Sequence, residues 1–193
     1  MTTTDRERVG TVVAAQRPRR ADARRNFDAL LDAAREAFAE NGAEASLEDI
    51  ARRAGVGIGT LYRNFPTRTA LFETVYADEV DGLCRLSDEL ADADPWEGLA
   101  TWLRRFVDYT VTKRAIREAL DGESDVFVSC RGAMIGAGEP LLERAQEAGL
   151  ARADISFDDL LRMMSGVLGA AYVDEAQRDR VFGFALDAVR AAR

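Results

Sequence analysis

The 193-residue chain contains no histidine, and Lys113 is its only lysine. Without histidine there is no Ser-His-Asp or Cys-His catalytic set, no histidine metal site and no histidine pH switch. Cys84 and Cys130 are the only cysteines. Two are too few for a disulfide framework or a four-cysteine zinc site, so they read as reduced thiols. No apolar run approaches the ~20 residues that span a bilayer. The N-terminal stretch MTTTDRERVG is polar and lacks the apolar core of a secretory signal. The expectation is a cytoplasmic protein with no membrane partner, no metal and no cofactor.

What is present is ordinary in amount and uneven in placement. Hydrophobic residues make up 47% and charged residues 31%, with a formal net charge of −8. Residues 1–72 hold 12 arginines against 10 carboxylates, a net of +2, whereas residues 73–193 hold 14 Lys and Arg against 24 carboxylates, a net of −10. That balance argues against a whole-surface polyanion binder and leaves room for a local basic face on the first third.

Residues 1–21 show no periodicity, and Arg17, Arg19 and Arg20 flank Pro18. They read as a flexible basic arm, or as a solvated tail without a role. From residue 22 the pattern becomes helical. Phe27, Leu30, Leu31, Ala34 and Phe38 form one apolar stripe, ended by Asn41-Gly42. Ser46 precedes a short second stripe of Leu47, Ile50, Ala51 and Ala54, with Asp49 at capping-box spacing. Thr67 is placed to cap a longer helix carrying Leu71, Phe72, Val75, Leu83 and Leu86. Pro95-Trp96 opens another, and residues 125–148 are helical in pattern with a kink or break expected near Gly136, Gly138 and Pro140. Ser156 with Asp159 repeats the cap spacing before a further helix, and a last one starts near Asp174. No alternating strand is evident. The chain reads as all-α, with about nine helices.

The stretch GVGIGTLYRNFPTR, residues 55–68, decides the functional reading. A dinucleotide fingerprint needs G-x-G-x-x-G after a strand, but here the spacing is G-x-G-x-G after a helix. A P-loop needs G-K-[ST], and no lysine is near. A short helix, a glycine turn and a second short helix make instead a helix-turn-helix, whose second helix enters the major groove. Thr60, Tyr62, Arg63 and Asn64 offer the donors and acceptors for phosphate and base edges, while Val56, Leu61 and Phe65 face inward. A corner used for packing alone would not require Thr60, Tyr62, Arg63 and Arg68 to be polar.

Residues 27–75, about a quarter of the chain, carry the segments "LEDIARRAG" and "GTLYRNF" in order after a helical stripe and "NG". This stretch resembles the N-terminal DNA-binding domain of the TetR family of transcriptional regulators. The resemblance implies DNA contacts at Ser46, Gly57, Gly59, Thr60, Tyr62, Arg63, Asn64 and Arg68. Ser46 would cap the helix that crosses the backbone, Tyr62 and Arg68 would meet phosphates, and Arg63 and Asn64 would lie at base edges or the far strand. Many relatives have Ser then Lys where this chain has Gly57 and Ile58, and His where Asn64 stands.

The organisation expected is a basic arm at 1–21, a helix-turn-helix DNA-binding domain at 22–68, and a helical ligand-binding and dimerisation domain at 69–193. The function expected is a dimeric repressor, released from a palindromic operator in double-stranded DNA by a small-molecule effector, and not an enzyme. Residues 157–171 and 174–192 would form the homodimer bundle through Leu160, Met164, Leu168, Phe182, Leu186 and Val189. Trp102, Phe106, Tyr109, Phe127, Cys130, Met134 and Met163 are the candidates for an apolar effector pocket. The rival is an all-α enzyme or ligand carrier without a DNA role, for which Asp108 with Arg104 or Arg105 is the only polar cluster in view.

Overall fold

Eight α-helices follow one another in the computed structural model, which describes residues 17–119, 125–168 and 172–191. They are α1 (Ala21–Asn41), α2 (Leu47–Arg53), α3 (Ile58–Asn64), α4 (Arg68–Glu89), α5 (Pro95–Ala119), α6 (Asp125–Glu147), α7 (Phe157–Leu168) and α8 (Glu175–Val189). A single 3-10 turn, Gly42–Glu44, joins α1 to α2. Among the described residues the only β-type pairing is an isolated antiparallel bridge between Ala151 and Arg190. The all-α expectation therefore holds, with eight described helices against about nine expected. Residues 1–16 of the expected arm lie outside the described residues.

Local chemistry sets the helix starts. Thr67 accepts a hydrogen bond from the Ala70 N–H at 3.0 Å, and Asp94 accepts from the N–H groups of Trp96 and Glu97 at 3.1 and 3.0 Å. Asp174 does the same for Gln177 at 2.7 Å. Each cap satisfies donors that the first helical turn leaves without an internal partner. The two Ser-x-x-Asp sequences behave differently. Ser156 and Asp159 form a reciprocal box: the Ser156 N–H donates to the Asp159 carboxylate at 3.0 Å, and the Asp159 N–H donates to the Ser156 hydroxyl at 3.1 Å. At α2 the box is one-sided. Ser46 accepts from the Asp49 N–H at 3.3 Å, but the Asp49 carboxylate turns to Arg52 and Arg53.

The stripes read from the sequence pack as expected. Phe27, Leu30, Leu31, Ala34 and Phe38 of α1 are buried. Phe38 stacks on Phe72 of α4 with ring centroids 4.1 Å apart, and Phe27 meets Phe65 at 5.1 Å. α4 then runs on between α5 and α6. The Trp102 indole N–H donates to the Leu83 carbonyl at 2.9 Å, satisfying a polar group that its burial would otherwise strand. Trp102 stacks on Phe106 at 5.8 Å and meets Phe157 edge-on at 5.3 Å.

Of the kink or break expected near Gly136, Gly138 and Pro140, there is no break: α6 is one helix from Asp125 to Glu147, with Pro140 inside it. The glycine serves the contact between helices. A β-carbon on Gly138 would lie 1.9 Å from Cζ of Phe157, so only glycine lets α7 approach this closely. Side chains of α4 also bond to α6 carbonyls. Cys84 donates its S–H to Ala133 at 3.7 Å, and the Ser87 hydroxyl donates to Ala137.

A charged knot joins α1, α4 and α5. Glu79 of α4 is 2% exposed and pairs with Arg105 of α5 at 3.0 Å and with Arg35 of α1. Arg35 also reaches Asp78 at 2.9 Å and Asp32 at 2.8 Å. Burial works against the Arg35 charge, but Glu79, Asp32 and Asp78 overcome it and raise its pKa. Arg17 extends the knot, meeting Asp28 at 2.8 Å and Asp78 at 3.8 Å. Arg105 pairs across helices with Glu79; the Asp108 side chain of the expected local cluster lies outside the described residues.

Candidate nucleic-acid interface

The turn between α2 and α3 is built by Gly55. Its φ of 69° lies in the left-handed region, which an L side chain rarely adopts. The Gly55 N–H bonds to the Arg52 carbonyl at 3.1 Å and the Val56 N–H to that of Ala51 at 3.0 Å, which closes α2 and redirects the chain. Gly57 then sits at the N-cap of α3 in an extended conformation, with φ −73° and ψ 149°, and no side-chain cap follows. Glycine has no side chain with which to cap the helix.

α3 is pinned from behind by Leu61 and Phe65, both fully buried. Its outer face carries Gly59, Tyr62 and Arg63, all exposed, with Tyr62 at 47%. Thr60 and Asn64 are half-buried on its flank, and the Asn64 amide donates to the Thr60 carbonyl at 2.8 Å. Ile58, exposed at the front of the helix, was not singled out as a contact from the sequence, although an exposed aliphatic at that position can meet a thymine methyl.

Two arginines near this face hold the unit together. Arg53 donates to both oxygens of Glu40 at 2.9 and 2.6 Å and to Asp49 at 2.6 Å. These bonds raise the Arg53 pKa above its usual value and lower that of Glu40, and Arg52 together with Arg53 lowers that of Asp49. Arg68 donates to the Ala45 carbonyl at 2.7 Å, and its guanidinium lies 5.4 Å over the centre of the Phe72 ring. Its side chain thus braces the turn before α2 from the start of α4. Ser46 is exposed, with its hydroxyl donating to Glu48 at 3.0 Å.

The effector candidates fall in the core. Trp102, Phe106 and Tyr109 of α5 and Cys130 and Met134 of α6 are buried, and Met163 of α7 is half-buried. Phe127 lies in α6, with its side chain outside the described residues. Burial pushes the Tyr109 phenol well above its ordinary pKa, with Tyr76 beside it. A cleft of about 440 Å³ opens between α5 and α8, lined by Arg104, Val107, Arg178, Asp179, Phe182, Gly183 and Leu186.

The residues expected to form a subunit interface are also inward. Leu160, Met164, Phe182, Leu186 and Val189 are buried within the protomer, and the Leu168 side chain lies outside the described residues. An amphipathic stripe turns toward the protomer's own core first; the exposed apolar groups of this end are Phe184, at 69%, and Val173. Among the described residues, no helix is long and apolar enough to cross a membrane.

An all-helical chain with a glycine-turned helix pair presenting tyrosine and arginine is the architecture of a helix-turn-helix regulator. Residues 30–75 match the family described as bacterial regulatory proteins, tetR family. Residues 94–191 match that described as transcriptional regulator SbtR-like, C-terminal domain. The structure is similar to the TetR transcriptional regulator SCO0520 from Streptomyces coelicolor, at 39% identity and a TM-score of 0.75, covering 86% of this chain and 99% of that one. It is similar also to a TetR transcription regulatory protein from Mycobacterium vanbaalenii, at 33% identity and a TM-score of 0.69, covering 90% and 100%. The HTH-type transcriptional regulator SAR0097 of Staphylococcus aureus is 36% identical over 85 residues, which is 42% of this chain and 44% of that protein. The chain belongs to the TetR family and is a transcriptional regulator with a DNA-binding domain.

Proposed function

We propose that the protein is a repressor that binds a palindromic operator as a homodimer and leaves it when a small molecule binds. The observation that carries this reading is the outer face of α3, where Tyr62 and Arg63 stand exposed on a helix anchored by Leu61 and Phe65. Residues 22–68 are the DNA-binding unit, and residues 69–193 bind ligand and dimerise. The Gly57 and Gly59 backbone approaches phosphate, Thr60 and Tyr62 bond to it, and Arg63 and Asn64 read base edges. Ser46 touches the backbone beside α2. Arg68 acts chiefly by bracing the turn at Ala45.

Two-fold symmetry sets two α3 helices one helical turn apart, ~34 Å, on the DNA. The exposed Phe184 and Val173 support α7 and α8 as the dimer surface. An apolar effector works among the middle helices, against Trp102, Phe106, Tyr109, Cys130, Met134 and Met163. These side chains pack against one another, so its entry shifts α5 or α6 and through them α4, which runs into the DNA-binding unit. By linkage, the effector weakens DNA binding by the same factor as DNA weakens effector binding.

Selection of bound duplexes from a random pool, at near-physiological salt, tests the reading. One enriched palindrome is the expected result. Absence of any enriched sequence from protein shown to be dimeric would overturn it.

A further inference from the structure

We infer that the cleft between α5 and α8 is a binding site for a small amphipathic carboxylate, separate from the aromatic core among the middle helices. α5 has two working faces. Trp102, Phe106 and Tyr109 recur at helical spacing on one side and are buried. Arg104 and Val107 lie roughly opposite, at ~100° of rotation per residue, and line the cleft. α8 supplies the other wall. Arg178, Phe182 and Leu186 form one row, with Asp179 and Gly183 beside it.

Size and chemistry agree on the ligand class. The cleft, about 440 Å³, falls within the ~300–1,000 Å³ typical of small-molecule sites. Its floor of Val107, Phe182 and Leu186 suits an apolar body. Its charged groups are two guanidiniums and one carboxylate, a local excess of one positive charge. The Arg178 Nε is buried and makes no hydrogen bond; among the described residues its ion-pair partner is the Asp179 carboxylate of the adjacent residue at 3.5 Å. A buried charged donor without an acceptor is unfavourable, and a carboxylate oxygen is the acceptor that a guanidinium fork fits best. Asp179 is mostly exposed and cannot fill that role from the next position on the helix. The strongly acidic surroundings, net −10 over residues 73–193, disfavour ligands of higher negative charge. A single carboxylate on a short apolar body satisfies all of these conditions. The inference does not rest on where the effector of the proposed repressor binds.

Titration calorimetry of the full-length protein with sodium octanoate, and with octanol as the uncharged analogue, tests the site. Octanoate should bind, and octanol should bind at least tenfold more weakly. Arg178→Gln should weaken octanoate by about tenfold or more, the loss expected when a charge-assisted hydrogen bond is removed. Gly183→Leu, which adds an isobutyl group to the cleft lining where a β-carbon meets open space, should abolish binding of both probes. Thermal melts of both variants establish that they are folded. Equal octanoate affinity in wild type and folded Arg178→Gln would overturn the inference. Equal binding of octanol and octanoate would do so too. No binding by the wild-type protein would also overturn it, and would mean that the cleft is closed in the assembled protein. Duplex selection reads none of these outcomes, so failure here leaves the operator reading intact.

Discussion

Gly138 of α6 lies under the ring of Phe157 of α7, so close that a β-carbon would stand 1.9 Å from Cζ and 2.4 Å from Cε1. Gly138→Ala must push the two helices apart or force Phe157 off its rotamer. Overpacking of this kind costs about 1–3 kcal/mol, and the closeness places this case at the upper end. A thermal melt should show a lower midpoint, and Phe157→Leu in the Gly138→Ala background should restore part of it. An unchanged midpoint for the single variant would refute the close approach.

Glu79 is the shared partner of Arg35 and Arg105 in the knot between α1, α4 and α5. Breaking a buried ion pair by removing one member costs about 3–5 kcal/mol, because the remaining charge keeps its burial and loses its partner. Glu79→Leu should fall near the lower end, since Arg105 retains access to water. Adding Arg35→Leu should recover some of the loss. Chemical denaturation of the single and double variants measures the coupling. Strict additivity would show that the two side chains do not act as a pair.

Stability should change little between about pH 5.5 and 8, because no histidine is present to titrate there. Below that range it should fall. Glu40 is held below its usual pKa by Arg53, Asp158 by Arg162, and Asp159 by Ser156. A carboxylate with a lowered folded pKa stabilises above its unfolded value, ~4, and that stability is lost as pH drops through the folded value. Asp78 acts in the opposite sense. Burial raises its pKa despite Arg35 and Arg17, so acidification relieves a cost there. Asp78→Asn should therefore steepen the acid loss, and Asp159→Asn should flatten it. Melting midpoints across the pH range check both signs.

On the DNA face, Tyr62→Ala should weaken binding to all duplexes. Arg63→Ala should alter sequence preference, by about 1–3 kcal/mol if it reads a base. Arg68→Ala should lower stability by about 1–2 kcal/mol, through loss of its bond to the Ala45 carbonyl, and leave the salt slope of DNA binding unchanged. Binding to selected and random duplexes over a salt series separates the three. A slope reduced by about one in Arg68→Ala would return that residue to a phosphate.

The helices are legible in the sequence because each carries a local signature. The stripe of Phe27, Leu30, Leu31, Ala34 and Phe38, the caps Thr67 and Ser156, and the turn at Gly55 all act within a few residues. Features set by distant partners are not legible. Gly138 and Pro140 look like helix breakers until Phe157 is seen packed on Gly138. Arg105 offers a local partner in Asp108, but its bond to Glu79, 26 residues away, has no local signature. The apolar stripe of α8 does not distinguish an internal core from a subunit interface, and Phe182, Leu186 and Val189 turn out to be internal. The aromatic set of α5 reads as a pocket lining because it is apolar. Among the described residues, a cleft lies on the other face of the helix, marked by Arg104 and by Arg178 of α8.

The bridge between Ala151 and Arg190 acts as a clasp on the end of α8. The Arg152 N–H donates to the Val189 carbonyl at 2.9 Å, and the Ala191 N–H donates to that of Leu150 at 3.0 Å. α8 is thereby held in register with the loop that follows α6. Axial sliding would break both bonds at once, whereas tilting about this point breaks neither. Any tilt of α8 would therefore have its fulcrum at residues 150–152. Such a tilt would carry Arg178 further than Phe184, because Arg178 lies further along the helix from the clasp.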